Sequence, residues 1–326
     1  MVTGGAGYIG THIAKNLLKE GFKVIILDNL STGFIEPVKI LQKKHQRCEF
    51  IKGDLADKDL LKKIFSENDI EAVIHLAAKI SVRESILEPE IYSRENYLNS
   101  INLVEAMVAR GVNKLVFSST CAVYGEPKYI PIDEQHPTNP INPYSRTKLD
   151  FENYLNKVKN LKFIIFRFFN VGGSDPEGLI GKAHIVEPDL TENIMQVALS
   201  QKSYLEIFGD DYNTEDGTPV RDYIHVEDIS QAHILGLKNL EKVSGEIFNL
   251  GSEKGFSVKE VVITAENVFG KTIPVKVVQS KEGDVASSVA SAQKAKSMLN
   301  WQPQYSDLEM IIQTDWNWRK KHPDGY

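Results

Sequence analysis

Short apolar runs recur through the first half of the chain, separated by stretches in which apolar residues return every three or four positions. Val24 to Leu27, Phe50 to Ile51, Ala72 to Ala78, Leu115 to Ser118 and Phe163 to Phe169 read as strands buried on both faces, the pattern of a parallel sheet covered by helices. Ahead of the first run, Ile9, Ile13, Leu17 and Leu18 share one face of a helix that Gly21 can end, since glycine tolerates the left-handed conformation. Strand and helix in alternation predict an α/β fold, a doubly wound parallel sheet of the Rossmann type. Met1, Val2 and Thr3 leave little chain for the strand that should precede the first helix, so either the true start lies upstream or that strand is stunted.

Beyond Asn170 the rhythm loosens into Gly172 to Pro188, rich in Gly, Asp and Pro, and later helix and strand signals are irregular. The chain therefore divides into a Rossmann domain over 1–170 and a smaller C-terminal α/β domain over 171–326, from which some segments can return to the first domain. Ile247 to Leu250 reads as a further strand. The aromatic tail from Trp301 to Tyr326 should pack back on the body.

The helix at Ile9 opens from Thr3 to Gly10, TGGAGYIG, with Gly4, Gly7 and Gly10 spaced three apart. Missing side chains there let the backbone turn tightly and let amides at the positive helix end approach a pyrophosphate. The glycine triplet gains meaning from Asp28, which ends the strand Val24 to Leu27 at 18 residues beyond Gly10. A carboxylate at that place accepts hydrogen bonds from the adenosine ribose and repels a 2′-phosphate, and no Arg follows closely to offset it, so NAD is favoured over NADP. Asp54, at the end of the next strand, is positioned for adenine contact; taken alone it would be a helix-capping residue.

A second constellation follows the strand Lys114 to Ser118, which runs into the hydroxyls of Ser119 and Thr120. Asn142 to Lys148, NPYSRTK, starts a helix with Pro143 early and Tyr144, Lys148, Phe151, Leu155 and Val158 at helical spacing. Tyr144 and Lys148 thus share one face. A phenol is a poor base at neutral pH until a neighbouring cation favours its ionised form, and Lys148 one turn away, with the positive nicotinamide, would supply that cation.

Composition narrows the partners. The chain of 326 residues has a formal charge of −6, with basic residues scattered among acidic ones, which argues against nucleic acid. Only Cys48 and Cys121 occur, without a C-x-x-C pair or clustered His, so no disulfide framework or metal site is expected and a reducing cytoplasm fits. No apolar run approaches the roughly 18 to 20 residues that span a bilayer, so no membrane partner is expected.

In order, TGGAGYIG, LDN (Leu27 to Asn29), FSSTCAVYG (Phe117 to Gly125), NPYSRTK, RFFNVGG (Arg167 to Gly173) and GTPVRDYIHVED (Gly217 to Asp228) resemble extended short-chain dehydrogenases of the UDP-glucose 4-epimerase family. The resemblance runs from residue 2 to the HPDGY that ends at Tyr326. It implies interconversion of UDP-glucose and UDP-galactose by NAD-mediated oxidation and re-reduction at carbon 4, a C-terminal domain that binds the UDP-hexose, and a homodimer. Tyr144, Lys148 and Thr120 would be catalytic, with Thr120 bonded to the oxygen that Tyr144 deprotonates. Beyond Gly4, Gly7, Gly10, Asp28 and Asp54, it adds Tyr8, Ile9, Asn29, Leu55, Asn96 and Lys148 as cofactor contacts. It assigns the substrate to Phe169, Asn170, Leu190, Phe208, Arg221, Lys281 and Asp284, together with Thr120 and Tyr144. Lys281 stands where relatives usually have Arg, exchanging a bidentate fork for a point charge. Ser288 stands where some relatives place a bulky Tyr, which would open the pocket to UDP-GlcNAc and UDP-GalNAc.

Three other readings compete. Nucleotide-sugar dehydratases and decarboxylases begin with the same oxidation, but dehydratases carry an acid after the Thr, where this chain has Cys121. A UDP-glucuronate 4-epimerase would need extra cations for the sugar carboxylate. An NAD-binding regulatory protein without turnover would typically lack the Tyr or the Lys.

Overall fold

The computed structural model describes residues 1–183, 188–280 and 284–326. Six strands follow one another in the first half: β1 (Val2–Thr3), β2 (Val24–Asp28), β3 (Cys48–Lys52), β4 (Val73–His75), β5 (Lys114–Thr120) and β6 (Lys162–Phe168). Among the described residues they join Ile247–Leu250 in one parallel sheet of seven strands, in the order Ile247–Leu250, β6, β5, β4, β1, β2, β3. The order reverses between β1 and β4, and a crevice opens outside the carboxyl ends of the strands at such a point.

The expected strand at Ala72 to Ala78 is shorter than read. It ends at His75, and Leu76, whose N–H bonds the Thr3 carbonyl at 3.1 Å, leads Ala77 and Ala78 away to line the crevice. The first strand, Val2–Thr3, is paired on both sides, Val2 lying opposite Ile26 and Ile74. Helices cover both faces. One core holds Ile13, Leu17, Ile26, Phe166, Phe248 and Trp301; the other holds Leu27, Leu61, Leu103, Phe117, Phe151 and Ile165.

Three further strands build a second sheet around Val220–His225: Gly255–Ser257 antiparallel to it, Asn170–Gly172 and Ser287–Ser288 parallel. Leu205–Phe208 pairs with Val275–Val278. Ile194, Leu205, Tyr223, Val261 and Ile311 form the apolar cluster beneath these strands. The tail packs back, with Trp301 and Trp318 fully buried and the Trp301 indole donating to the Asp228 carbonyl at 3.0 Å.

Candidate active site

The glycine loop is built for close approach. Gly4 has φ +67, and a Cβ there would stand 2.6 Å from the Ala77 backbone nitrogen; one on Gly10 would stand 2.2 Å from the Gly4 carbonyl oxygen. Gly7 begins the helix Tyr8–Lys19 with no side chain bonded to its first amides and no acid in its first turn. An uncapped helix end of this kind suits an anion. Asp28 braces the loop, accepting the Ala6 N–H at 3.0 Å and the Leu30 N–H at 2.8 Å, and burial raises its pKa above the ordinary carboxylate value. The Asn29 amide donates to Asp54 at 2.7 Å across the strand ends.

These residues line a cleft of about 430 Å³, within the usual range for small-molecule sites. Gly4, Gly7, Tyr8, Ile9, Gly10, Asp28, Asn29, Asp54 and Leu55 stand at one end, Tyr144 and Lys148 at the other. A dinucleotide fits this donor set: amides for a pyrophosphate, an acid for a ribose, and hydroxyl and amine groups at the reacting end. Asn96 does not line the cleft. It is 2% exposed, accepts the Lys79 N–H at 2.8 Å and donates to the Lys79 carbonyl at 2.9 Å, so it holds the loop that forms the wall. The segment Ser93–Leu98 winds as a π-helix, and Glu95 and Asn99 reach the cleft in its place. Ser118 and Ser119, from the hydroxyl-bearing end of β5, do line the cleft, while sequence reasoning passed over Ser31, Thr32, Ala77, Lys79 and Phe168, all cleft residues. The small Ala77-Ala78 pair just beyond a strand end was the available signal for Ala77.

At the reacting end, Asn142 caps the helix Pro143–Leu155 by accepting the Ser145 N–H, which fixes where Tyr144 leaves the first turn. Tyr144 is half-buried; burial pushes its pKa up to about 12, and the nearby Thr120 hydroxyl works against that. Lys148 is 4% exposed. Its ammonium donates to the Ser118 carbonyl at 2.9 Å and lies 4.9 Å from the centre of the Phe117 ring. Burial pushes it down to about 8, and the Glu152 carboxylate opposes the shift. Burial, not Lys148, is the largest influence on the Tyr144 phenol, and desolvation dominates both groups.

The substrate candidates gather on the second sheet. Ser288 pairs in register with Arg221, and the Arg221 guanidinium donates to Asp284 at 2.9 Å. The Ser288 hydroxyl lies close enough to act on Cys121, the neighbour of Thr120, which places this group beside the reacting end; burial holds the Cys121 thiol up at about 12. Asn170 is exposed at the edge of the sheet, Phe208 is half-buried, and Leu190 opens a helix capped by Asp189. Phe169 is 4% exposed and packs with Val123, Leu149 and Ala290, while its neighbour Phe168 faces the cleft, as alternation along an extended chain requires. Lys281 lies outside the described residues. Among the described residues no group of His, Cys, Asp and Glu could hold a metal ion, and no helix is long and apolar enough to cross a membrane.

A family profile described as GDP-mannose 4,6 dehydratase matches residues 1–314. The chain is 45% identical over 331 residues to a UDP-glucose 4-epimerase of Halalkalibacterium halodurans, spanning 100% of this chain and 97% of that protein. It superposes on a crystal structure of UDP-glucose 4-epimerase with a TM-score of 0.95 and 44% identity, over 100% and 98% of the two chains. A UDP-glucose 4-epimerase from Bifidobacterium longum, solved in complex with NAD+ and UDP, matches with a TM-score of 0.95 and 35% identity, over 100% of this chain and 99% of that one.

Proposed function

The chain belongs to the UDP-glucose 4-epimerase family of extended short-chain dehydrogenases, and from that membership we propose the working of its site. The protein interconverts UDP-glucose and UDP-galactose by oxidation and re-reduction at carbon 4, with NAD as its cofactor. When bound, NAD supplies hydride acceptance from carbon 4 and hydride return to it. Gly4, Gly7, Tyr8, Ile9 and Gly10 hold its pyrophosphate end, and Asp28, Asn29, Asp54 and Leu55 the adenosine.

Tyr144 takes the proton from the carbon 4 hydroxyl and later gives it back, and Thr120 holds the same oxygen by hydrogen bonding. Lys148 contributes charge beneath the phenol and a donor to the nicotinamide ribose. Arg221, Asn170, Phe208, the Leu190 backbone and Lys281 anchor UDP while the sugar turns, and Asp284 keeps the Arg221 guanidinium aligned. The cleft that runs from the glycine loop and Asp28 at one end to Tyr144 and Lys148 at the other is the observation that carries this reading.

A dehydratase, the activity in the description of the matching profile, needs an acid next to Thr120 to act beyond carbon 4. Cys121 holds that place, with its thiol too high to serve as a base at neutral pH. For the same oxidised carbon, return of hydride to the opposite face is the outcome that these side chains support.

The pocket also takes the N-acetylated pair, UDP-GlcNAc and UDP-GalNAc, because Ser288 is small and lies beside Cys121 at the sugar end. Incubating the protein with UDP-galactose and with UDP-GalNAc, and following the anomeric protons by NMR, should show conversion of both. Ser288→Tyr should keep the first conversion and lose the second at least tenfold relative to it; retention of the N-acetyl activity would remove this extension. The working unit is a cytoplasmic homodimer. Leu98 and Val108, exposed at 50% and 41% along consecutive helical segments, offer the apolar surface for it, and a monomeric mass in light scattering would count against the pairing.

A further inference from the structure

Beneath Lys148 lies a buried ion pair that the reaction as described does not use. Glu152 stands one helical turn beyond Lys148, where residues four apart share a face. It is 1% exposed, and its partner Arg167, on β6, is 3% exposed. Arg167 Nε donates to Glu152 Oε1 at 3.1 Å and its Nη2 donates to Oε2. Oε1 also accepts the Ser119 hydroxyl. Three consecutive residues at the end of β5 are thereby committed to the site: the Ser118 carbonyl accepts Lys148, the Ser119 hydroxyl is held by Glu152, and Thr120 meets Tyr144.

One carboxylate thus ties the Tyr144 helix to β5 and β6 at the level of the reacting groups. Resting on the assignment of Lys148 to the reaction, we propose that Glu152 is a positioning residue, which keeps the Lys148 ammonium charged and locks the Ser118 to Thr120 strand end against it, with Arg167 as its counter-ion.

The surroundings of Lys148 leave that electrostatic task to Glu152. On its own helix it faces Tyr144 and Glu152. On β5 it meets the Ser118 carbonyl and the Phe117 ring. On β4 the nearest titrating group is His75, buried and neutral, with both ring nitrogens engaged by Thr3 and Ser100 hydroxyls. Arg167 is spent on Glu152 and on the Tyr124 ring, 4.9 Å away. Burial alone drives the ammonium toward its neutral form, and the negative charge acting against this is that of Glu152.

The test is the pH profile of UDP-galactose conversion by the NAD-loaded protein. Activity that needs a charged Lys148 falls on the basic side, and Glu152→Gln should move that basic limb down by about one pH unit. Glu152→Asp, which keeps the charge and shortens the reach, should lower kcat and leave the limb in place. A folded, NAD-loaded Glu152→Gln with the parental limb overturns the proposal, whatever its kcat. If the single change does not fold, Glu152→Gln with Arg167→Met removes the Glu152–Arg167 ion pair as a unit without orphaning the guanidinium, and a parental basic limb in that variant overturns the proposal equally. A parent protein that converts no UDP-sugar would instead sink the assignment of the reaction itself, which separates the two failures.

Discussion

Tyr144 concentrates the chemistry of the site and also its main obstacle. A half-buried phenol held up at about 12 keeps its proton at neutral pH, so the side chain becomes a base only as surrounding charge and hydrogen bonds favour the phenolate. Tyr144→Phe removes the proton acceptor and leaves the ring. It should lower kcat by about 10² to 10⁴-fold with the NAD content of the purified protein unchanged, measured by UDP-galactose turnover and by cofactor release on denaturation. His75 shows the same physics without a catalytic task. It is fully buried, bonded on both ring nitrogens, and held down at about 3, well below an ordinary imidazole. A group with a depressed folded-state pKa contributes stability above its unfolded pKa and loses it as pH falls toward the folded value, here over the window from 6.5 down to about 3. Between pH 7 and 5 the unfolding free energy should therefore drop by about 2 kcal/mol on account of this residue. In His75→Gln, urea titrations at the two pH values should differ by that much less than in the parent.

At the scale of elements, the strand, glycine loop and helix from Val2 to Lys19 act as one unit whose geometry depends on missing side chains. Gly10 lies inside the helix with its α-carbon against the Gly4 carbonyl, so a methyl group at 2.2 Å must push helix and loop apart. Gly10→Ala should cost about 1 to 3 kcal/mol or more and yield protein without retained NAD. Gly21→Ala is the informative contrast. That glycine has φ +90 and open space around the added carbon, so only backbone strain of about 1 to 2 kcal/mol is expected, with NAD retained. Thermal unfolding and cofactor content together distinguish a crowded phosphate loop from a strained turn.

Over the whole molecule, the parts are joined by buried charge as well as by apolar packing. Lys15, on the glycine-loop helix, donates to Asp175 at 2.7 Å and to Glu227 at 2.5 Å, and Asn16 beside it donates to the other Glu227 oxygen at 2.7 Å. The cofactor helix is thereby tied to the loop after Gly173 and to the helix Val226–Asn239 that packs on it. Tyr8 adds a hydrogen bond from its hydroxyl to the Gly173 carbonyl. Lys15→Met would leave two buried carboxylates without their cation and should destabilise the fold by about 3 to 5 kcal/mol, read as a lower urea midpoint in both the presence and the absence of UDP.

What the sequence determined by itself was local. The glycine spacing, the acid ending β2, the Pro143 helix start and the four-residue interval between Tyr144 and Lys148 all follow from backbone periodicity and steric room, which act over a few neighbouring residues. The alternation of strand and helix up to Phe169 was legible for the same reason. Tertiary structure decided the rest, since it depends on contacts between distant residues and on burial. It brought Ile247–Leu250 beside β6 and set Ser288 against Arg221 from more than sixty residues away. It drew Asn96 behind the cleft wall, where backbone groups of Lys79 consume its amide. It also placed Lys148 under desolvation, with Glu152 as the opposing charge. Electrostatic free energies depend on the dielectric around a group and on which charges share its cavity, and a linear pattern of residues specifies neither until the chain has closed around them.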